Sequence, residues 1–304
     1  MRWCKLGRVF CSEGQLPWMT SHASVPFAEQ IEGDLYRIYF TSRDSQNQSH
    51  VGWVEIDITH PDRILRLSEA PLLAPGALGR FDDCGAMMSW LVRHGDQQYL
   101  YYTGWNRRGT VPFHVSIGFA VGRATERTPA LTALPGPIIE RDVTDPYFCS
   151  NPCVLVEDGR WRMWYLSGLG WAGLEGGVSA SYHVRYADSA DGIRWCRTGQ
   201  VAIGLELVGE FAIARPCVLR EKSSYVMWYC VRLRDRPYRL GIARSHDGLT
   251  WMRDHGDPGL APSTEGWDAE MIAYPHVFDH GLDRYMLYCG NGFGRTGFGL
   301  AVLG

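Results

Sequence analysis

The chain repeats one pattern five times, in which a tyrosine follows a proline or a serine by 13 residues. The pairs are Pro26 with Tyr39, Ser89 with Tyr102, Pro152 with Tyr165, Pro216 with Tyr229, and Pro275 with Tyr288. Successive copies begin 63, 63, 64 and 59 residues apart. Self-similarity at a fixed period indicates an architecture built from repeated supersecondary units. A chain of this kind must fold as five related structural units.

Each copy consists of short Val, Ile, Tyr and Trp runs that alternate with polar residues and end at Gly, Asp or Pro. This period of two predicts β-strands, and no segment keeps a helical apolar period for a dozen residues. Each copy contains a third alternating strand, and two copies continue with the pattern Ser-x-Asp-Gly-x-x-Trp, at Ser189 and Ser245. Four strands in each copy predict an all-β fold, a five-bladed β-propeller of four-stranded blades.

The two ends of the chain complement each other in this scheme. The fifth copy reaches Gly304 before a fourth strand is made, and the segment 3–9 copies the segment 195–201, both beginning Trp-Cys with a basic third residue. We therefore expect residues 1–12 to supply the outer strand of the last blade and to cover an otherwise unpaired edge. The prediction is one propeller domain over residues 1–304, with blades starting near residues 26, 89, 152, 216 and 275.

Composition limits the partners. A formal net charge of -3 provides no broad basic field, so nucleic acid is not expected as a partner. The first residues lack the apolar core of a signal peptide, and no stretch approaches 18 uncharged apolar residues, so we expect a cytoplasmic protein without a membrane partner.

Nine scattered cysteines favour reduced thiols, and no His or Cys set has zinc-site spacing. We expect no metal and no cofactor, with a divalent ion at the axis left open. The sequence does not indicate the oligomeric state.

Acidic residues gather shortly before the strand starts. In a four-stranded antiparallel blade, the start of the first strand and the loop after the second lie on one face, around the axis. The residues on that side are His22, Asp82, Asp83, Asp145, Glu210, Asp268 and Glu270. Carboxylates that converge from several blades would suit cleavage of a glycosidic bond by one acid and one base or nucleophile. Alternatively, they cap turns or bind backbone amides between blades.

Arginines and aromatic residues follow the second strands or directly precede the first strands, and they are expected on the same face. Arginine forks suit an anionic sugar, a sugar phosphate or a nucleotide-sugar, and flat aromatic rings suit sugar rings. The residues considered are Arg43, Trp105, Asn106, Tyr147, Trp171, His183, Arg215, Arg232, Tyr274 and Asn291. The glycine-rich segment 167–181 is expected to form a lid loop.

These repeats and turns resemble the five-bladed propeller glycosidases of glycoside hydrolase families 32, 43, 68 and 130 over the whole chain. Within that superfamily, the chain is similar to a subset that lacks the standard catalytic carboxylate positions. Families 43 and 32 have carboxylates at or near the strand-opening prolines, where this chain has Val25, Met88 and Ser150. The resemblance implies a glycan-related substrate in a central funnel. It does not transfer the standard catalytic residues.

The sequence thus predicts a glycoside hydrolase-like enzyme that acts on an anionic sugar, glycoside or nucleotide-sugar. Glu210 is the leading candidate for the general acid, because it lies near Arg215 and an apolar segment, and Asp83 or Glu270 would be the base or nucleophile. The remaining candidates, His22, Asp82, Asp145 and Asp268 among them, would bind substrate. Two alternatives stay open: a carbohydrate-binding propeller without catalysis, and a glycoside phosphorylase that binds phosphate beside the sugar.

Overall fold

The computed structural model of the chain describes residues 2–124, 129–174 and 177–304. The described residues form 20 strands and one helical turn. They are β1 Trp3–Phe10, β2 Ser21–Glu32, β3 Leu35–Arg43, β4 Ser49–Asp57, β5 His60–Leu67, β6 Gly85–His94, β7 Gln97–Arg107, β8 Phe113–Arg123, β9 Leu131–Ala133, β10 Cys149–Glu157, β11 Arg160–Leu174, β12 Gly177–Ser189, β13 Val201–Ile203, β14 Glu210–Glu221, β15 Ser224–Leu233, β16 Arg236–Ser245, β17 Met252–Asp254, β18 Ala273–His280, β19 Asp283–Cys289, α1 Asn291–Gly294 and β20 Phe298–Leu303. The predicted all-β class is confirmed.

The strands pair antiparallel in five groups of four, which we call units one to five. In order of pairing, they are β2-β3-β4-β5, β6-β7-β8-β9, β10-β11-β12-β13, β14-β15-β16-β17 and β18-β19-β20-β1. Single parallel contacts, Ser49 with Gly85 and Tyr182 with Ala212, join units one and two and units three and four. Three hydrogen-bonded sheets result, and within the described ranges none of them closes on itself.

Strand β1 pairs with β20 although they lie at opposite ends of the chain. Trp3 is opposite Leu303, and Phe10 is opposite Phe298. The Trp3 ring packs edge-on against Trp228 of unit four, with 6.4 Å between the ring centroids. The first strand therefore contributes both pairing to unit five and apolar contact to its neighbour.

The first strand of four units is interrupted before its proline. Val25, Asn151, Arg215 and Tyr274 have φ between 47° and 56°, a left-handed conformation that is uncommon for side-chain-bearing residues. The pairing register with the second strand shifts at the same places. Each shift is a β-bulge that turns the strand at the point where it meets the other units.

Arg215 connects three first strands from one of these bulges. Its side chain is completely buried, and its guanidinium donates hydrogen bonds to the carbonyl oxygens of Ser89 and Pro26, the latter at 3.3 Å. Because these acceptors belong to units two and one, Arg215 reaches from unit four across the centre of the molecule. This geometry agrees with the axial position predicted for Arg215. It does not agree with the predicted contact between Arg215 and substrate, because no part of the side chain is exposed.

The two Ser-x-Asp-Gly turns have the same hydrogen bonds and join neighbouring units. Gly192 N donates to Ser189 Oγ at 2.9 Å, and the equivalent bond in the second turn is 2.8 Å. The Gly192 carbonyl accepts from Tyr101 of unit two, and the Gly248 carbonyl accepts from Trp164 of unit three. The sequence motif therefore binds unit three to unit two and unit four to unit three.

The segment 167–181 is not the loop that we expected. It extends β11 and β12 into a long hairpin in which Trp171 pairs with Ala180, and residues 175–176 lie outside the described residues. None of the helices found in the described part of the chain is long and apolar enough to cross a membrane.

Deletion of residues 1–12 is expected to destabilise the whole molecule, because it exposes the edge of β20 and removes Trp3 from its contact with Trp228. Thermal unfolding followed by circular dichroism should show a melting temperature lower by at least about 5 °C, or no cooperative transition. A truncated protein with an unchanged melting temperature would contradict this role of β1.

Candidate functional site

Three of the predicted site acids are bound by the repeat tyrosines. In each case the tyrosine lies 20 residues after the acid, and its hydroxyl donates to the carboxylate. The distances are 2.9 Å for Tyr102 to Asp82, 2.9 Å for Tyr165 to Asp145, and 3.2 Å for Tyr288 to Asp268. All three acids are buried. They connect the approach to the first strand with the second strand of the same unit.

Basic side chains complete these contacts. In unit three, Asp145 accepts hydrogen bonds from Arg197 at 2.8 Å, Arg185 at 3.1 Å and Ser167 at 2.6 Å, in addition to its tyrosine. In unit five, Lys5 of β1 binds Asp268 at 2.6 Å. With every oxygen of Asp145 occupied by protein donors, this carboxylate has no free position for a sugar hydroxyl.

Glu210 has the corresponding place in unit four. Arg253 binds both carboxylate oxygens at 2.5 and 2.8 Å and also donates to the hydroxyl of Tyr229 at 2.9 Å. Burial alone would raise the pKa of the Glu210 carboxyl, but the hydrogen bonds from Arg253 and from the Glu206 and Leu207 backbone outweigh it, and the net pKa is lowered. A general acid needs a raised pKa and access to the leaving group. The structure does not support that role for Glu210.

We call this arrangement of tyrosine, buried carboxylate and basic side chain the carboxylate latch. In units three, four and five the basic residue follows a tryptophan by two positions. The three short motifs are Trp195 to Arg197, Trp251 to Arg253, and Trp3 to Lys5. Unit two lacks this motif, and Arg80 lies 3.3 Å from Asp82 instead. The motif recurs in the sequence together with the acid and the tyrosine. This recurrence could have indicated that the acids have a structural role and not a catalytic one.

The other two catalytic candidates lie outside the main cavity. Asp83 is half-buried, and its Oδ2 accepts a hydrogen bond from Gly79 N at 2.9 Å. Glu270 is exposed, and its backbone N donates to Asn291 Oδ1 at 2.8 Å. Asn291 Nδ2 in turn donates to the Gly266 carbonyl at 3.0 Å, so this predicted substrate ligand binds the segment that precedes β18. The structure does not bring Asp83, Glu210 and Glu270 together.

A cavity of about 440 Å³ lies between the units. Its wall is rich in aromatic side chains, among them Trp105, Phe113, Trp171, Tyr182, Tyr238 and Tyr274. Of the predicted binding residues, Arg43, Trp105, Trp171, Arg232 and Tyr274 line it. None of the described lining residues is Asp, Glu or His. The cavity therefore offers aromatic surface and positive charge, without a carboxylate to transfer a proton.

Several cavity residues share one position in the repeat. The residues at equivalent positions in the third strands of units one to four line the cavity, and they are Ser49 of β4, Val115 of β8, Tyr182 of β12 and Tyr238 of β16. None of these four was predicted as a site residue. Aligning the third strands would have identified the position as one that faces the centre, because equivalent residues in a repeat have equivalent surroundings.

The two cavity arginines have no acidic partner among the described residues. Arg43 donates to Asn47 Oδ1 at 2.9 Å, and burial lowers the pKa of its guanidinium. Arg232 lies over the rings of Phe211, Tyr238 and Phe293, with 5.2 to 5.9 Å from its guanidinium carbon to the ring centroids. Buried or half-buried arginines are usually paired with carboxylate or phosphate groups. An anionic ligand in the cavity would supply Arg43 and Arg232 with the acidic partner that the described residues do not provide.

The two predicted histidine ligands do not line the cavity. His22 has a left-handed backbone with φ of 61°, and its Nδ1 is 3.0 Å from Ser21 Oγ. Burial lowers its pKa to about 4, helped by the positive charges of Arg43 and Arg295. His183 receives a hydrogen bond from Arg185 at 3.1 Å, and burial again lowers its pKa to about 4. Both histidines are neutral at physiological pH.

The remaining predicted ligands also lie beside the cavity. Asn106 donates to the Arg80 carbonyl at 3.4 Å, and Tyr147, with 42% of its surface exposed, lines a neighbouring recess. In the described part of the chain, no three or more His, Cys, Asp or Glu side chains are grouped in a way that could hold a metal ion.

Comparison with known proteins gives two full-length relatives. The chain is 46% identical over 303 residues to uncharacterized protein MT1551 of Mycobacterium tuberculosis strain CDC 1551, covering 100% of this chain and 99% of that protein. It is 45% identical, with the same coverage, to uncharacterized protein Rv1502 of Mycobacterium tuberculosis strain H37Rv. No family model matches the chain.

Solved structures with similar folds include glycoside hydrolases. A BT0996 RGII complex aligns with a TM-score of 0.76 and 19% identity, over 98% of this chain and 90% of that one. A thermostable family-43 glycoside hydrolase aligns with a TM-score of 0.70 and 14% identity, over 93% and 89%. Sucrose-6-phosphate hydrolase from Lactobacillus gasseri aligns with a TM-score of 0.62 and 13% identity, over 96% and 61%. The chain thus has the fold of the β-propeller glycoside hydrolases, as the resemblance predicted.

Tyr165→Phe is expected to lower the free energy of unfolding by about 1.5–3 kcal/mol, because the buried Asp145 carboxylate loses a hydrogen-bond donor. Urea denaturation of both proteins at neutral pH measures this difference. Tyr147→Phe is the matched control, since this exposed hydroxyl should change stability by less than about 0.5 kcal/mol. Equal stabilities of the two variants would contradict the latch.

The latch in unit four should make stability pH-dependent. Since folding lowers the pKa of Glu210, its contribution is fully present above the ordinary value of 4.5 and is lost as the pH falls towards the lower value of the folded protein. Glu210→Gln removes this contribution. Urea denaturation between pH 3.5 and 7 should therefore show a stability difference from wild type that is largest at neutral pH and narrows below pH 4.5. A difference that does not vary with pH would refute the assignment.

Proposed function

Because the chain belongs to the same family as MT1551 and Rv1502 of Mycobacterium tuberculosis and has a β-propeller glycoside hydrolase fold, we propose that it binds an anionic saccharide in its central cavity. In this proposal the five four-stranded units are the blades of one five-bladed propeller, closed by β1. The observation that carries the function is the pair of cavity arginines, Arg43 and Arg232, without an acidic partner among the described residues.

The cavity fits such a ligand in size and chemistry. A volume of about 440 Å³ lies in the range of sites for small molecules. Two guanidinium groups supply donors for a carboxylate or phosphate, and the flat rings of Trp105 and Trp171 supply apolar surface for a sugar ring. One solved structure with a similar fold is a sucrose-6-phosphate hydrolase, whose name gives a phosphorylated sugar as its substrate, and this supports the same class of ligand.

Binding without two-carboxylate cleavage is the function that the geometry supports best. Glycoside hydrolysis by this mechanism needs two carboxyl groups on either side of the scissile bond. Glu210 is held in a latch, and neither Asp83 nor Glu270 lines the cavity. Hydrolysis is the second candidate, which the shared fold with family-43 enzymes favours. Phosphorolysis would use the cavity arginines for inorganic phosphate.

A thermal-shift screen tests the proposal. The ligands are galacturonate, glucuronate, glucose 6-phosphate, UDP-glucose and inorganic phosphate, with galactose and glucose as neutral controls. An anionic sugar near saturation should raise the melting temperature by at least about 2 °C, and neutral sugars should not. Arg232→Ala and Arg43→Ala should abolish the shift. Arg244→Ala, which removes an exposed arginine away from the cavity, should retain it.

The outcome separates the candidates. Equal shifts with neutral and anionic sugars, unchanged in Arg232→Ala, would contradict the proposed function. Formation of reducing ends from a glycoside of the bound sugar, lost in Asp83→Asn or Glu270→Gln, would establish hydrolysis instead. Turnover that depends on inorganic phosphate would establish phosphorolysis. We expect saturable binding without either reaction.

A further inference from the structure

Two further recesses adjoin the central cavity. The first, of about 380 Å³, shares Arg232 and Phe293 with the cavity. The second, of about 350 Å³, shares Phe113 and Trp171 with it. Among the described lining residues, none belongs to both outer recesses. The three spaces therefore lie next to one another with the cavity in the middle, and we call this row of spaces the groove.

The fold places the two ends at different boundaries between units. The first recess is built by the β15–β16 connection of unit four and by residues 270–271 and 292–293 of unit five. The second is built by residues 108–114 of unit two and by residues 141–147 and Trp171 of unit three. A ligand that filled all three spaces would cross the face from one boundary to the other.

Positive charge continues into both ends of the groove. The first recess contains Arg234 and Arg236, with Asp235 3.3 Å from Arg236 and with the exposed Glu270 at its edge. The second contains Arg108 and Arg141. In the described chain, Arg108, Arg141 and Arg234 form no ion pair with a carboxylate.

Lone surface arginines are commonly solvated and carry little information. Here they line the two recesses on either side of the cavity that holds Arg43 and Arg232. Cations in three adjacent spaces complement a ligand that carries several negative charges.

The second recess also offers aromatic surface. The rings of Trp171 and Phe113 pack edge to face with 5.0 Å between their centroids, and Tyr147 stands beside them with 42% of its surface exposed. Trp171 also packs against Phe148 at 5.5 Å, which fixes its orientation. Exposed, rigidly held aromatic rings at a recess supply contact area at low entropic cost. This end therefore suits a sugar ring beyond the one in the cavity.

We propose that the ligand is an anionic oligosaccharide of at least three units that lies along this groove, an inference that rests on the proposed function. Its middle unit occupies the cavity at Arg43 and Arg232, and its outer units occupy the two recesses. Each space has a volume that accommodates at least one sugar ring. A single sugar phosphate would use the cavity alone and leave both cationic ends without a partner.

Chain-length dependence of binding tests this proposal. Isothermal titration calorimetry is carried out with oligogalacturonates and hyaluronan oligosaccharides of one to six units, and with maltooligosaccharides as the neutral series. In at least one anionic series the dissociation constant should fall at least tenfold between one and three or four units and then level off. Arg234→Ala/Arg236→Ala and Arg141→Ala should each reduce this gain severalfold. Arg244→Ala should preserve it.

The results distinguish this proposal from the proposed function. Equal affinity at every length, with binding still abolished by Arg232→Ala, would overturn the groove and leave the cavity function intact. Absence of binding by every anionic series would contradict the proposed function and the groove with it. A gain with length that the end variants do not alter would place the outer units elsewhere and would also overturn the proposal. Melting temperatures of the variants verify that these exposed substitutions leave the fold intact.

Discussion

The structure depends on a buried carboxylate that a tyrosine hydroxyl and a basic side chain hold in place. In unit three, Asp145 joins the approach to the first strand with Tyr165 on the second strand and Arg197 beside the fourth. The contacts of this one carboxylate thus link the strands of the unit to one another. In unit five the cation is Lys5, so the same device ties the first strand of the chain to the last unit. Removal of these partners would leave a buried, unpaired carboxylate and lower the free energy of unfolding by several kcal/mol. Folds that separate the acid from its partners are therefore disfavoured.

This use of the acids decides what the centre of the molecule can do. Four of the carboxylates that precede the strands bind side chains within their own units, and the cavity is lined by aromatic rings and arginines; the four are Asp82, Asp145, Glu210 and Asp268. Arg215 serves structure in a related way, because it binds the carbonyl oxygens of two other first strands and is completely buried. The fold shared with glycoside hydrolases is therefore combined with a cavity whose described walls favour recognition of negative charge over proton transfer.

The repeat made much of the fold predictable, since the constant spacing from Pro152 to Tyr165 and its equivalents locates the strands from the residues alone. The site was harder for a physical reason. The distance of an acid from a strand start does not indicate whether its side chain points to the axis or into its own unit. For Glu210 the sequence allowed both orientations, and only the structure shows that the side chain binds Arg253 of its own unit. Tyr238 was missed because an aromatic residue in a strand has the same pattern whether it lines a cavity or the core.

A double-mutant cycle between Glu210 and Arg253 tests most directly whether Glu210 and its equivalents hold the strands of each unit together. Wild type, Glu210→Gln, Arg253→Met and the double variant are unfolded in urea at neutral pH. We expect each single variant to lose about 3 kcal/mol or more and the coupling free energy to be at least about 1 kcal/mol, with the two losses far from additive. Additive small losses, or a Glu210→Gln protein as stable as wild type, would contradict this claim.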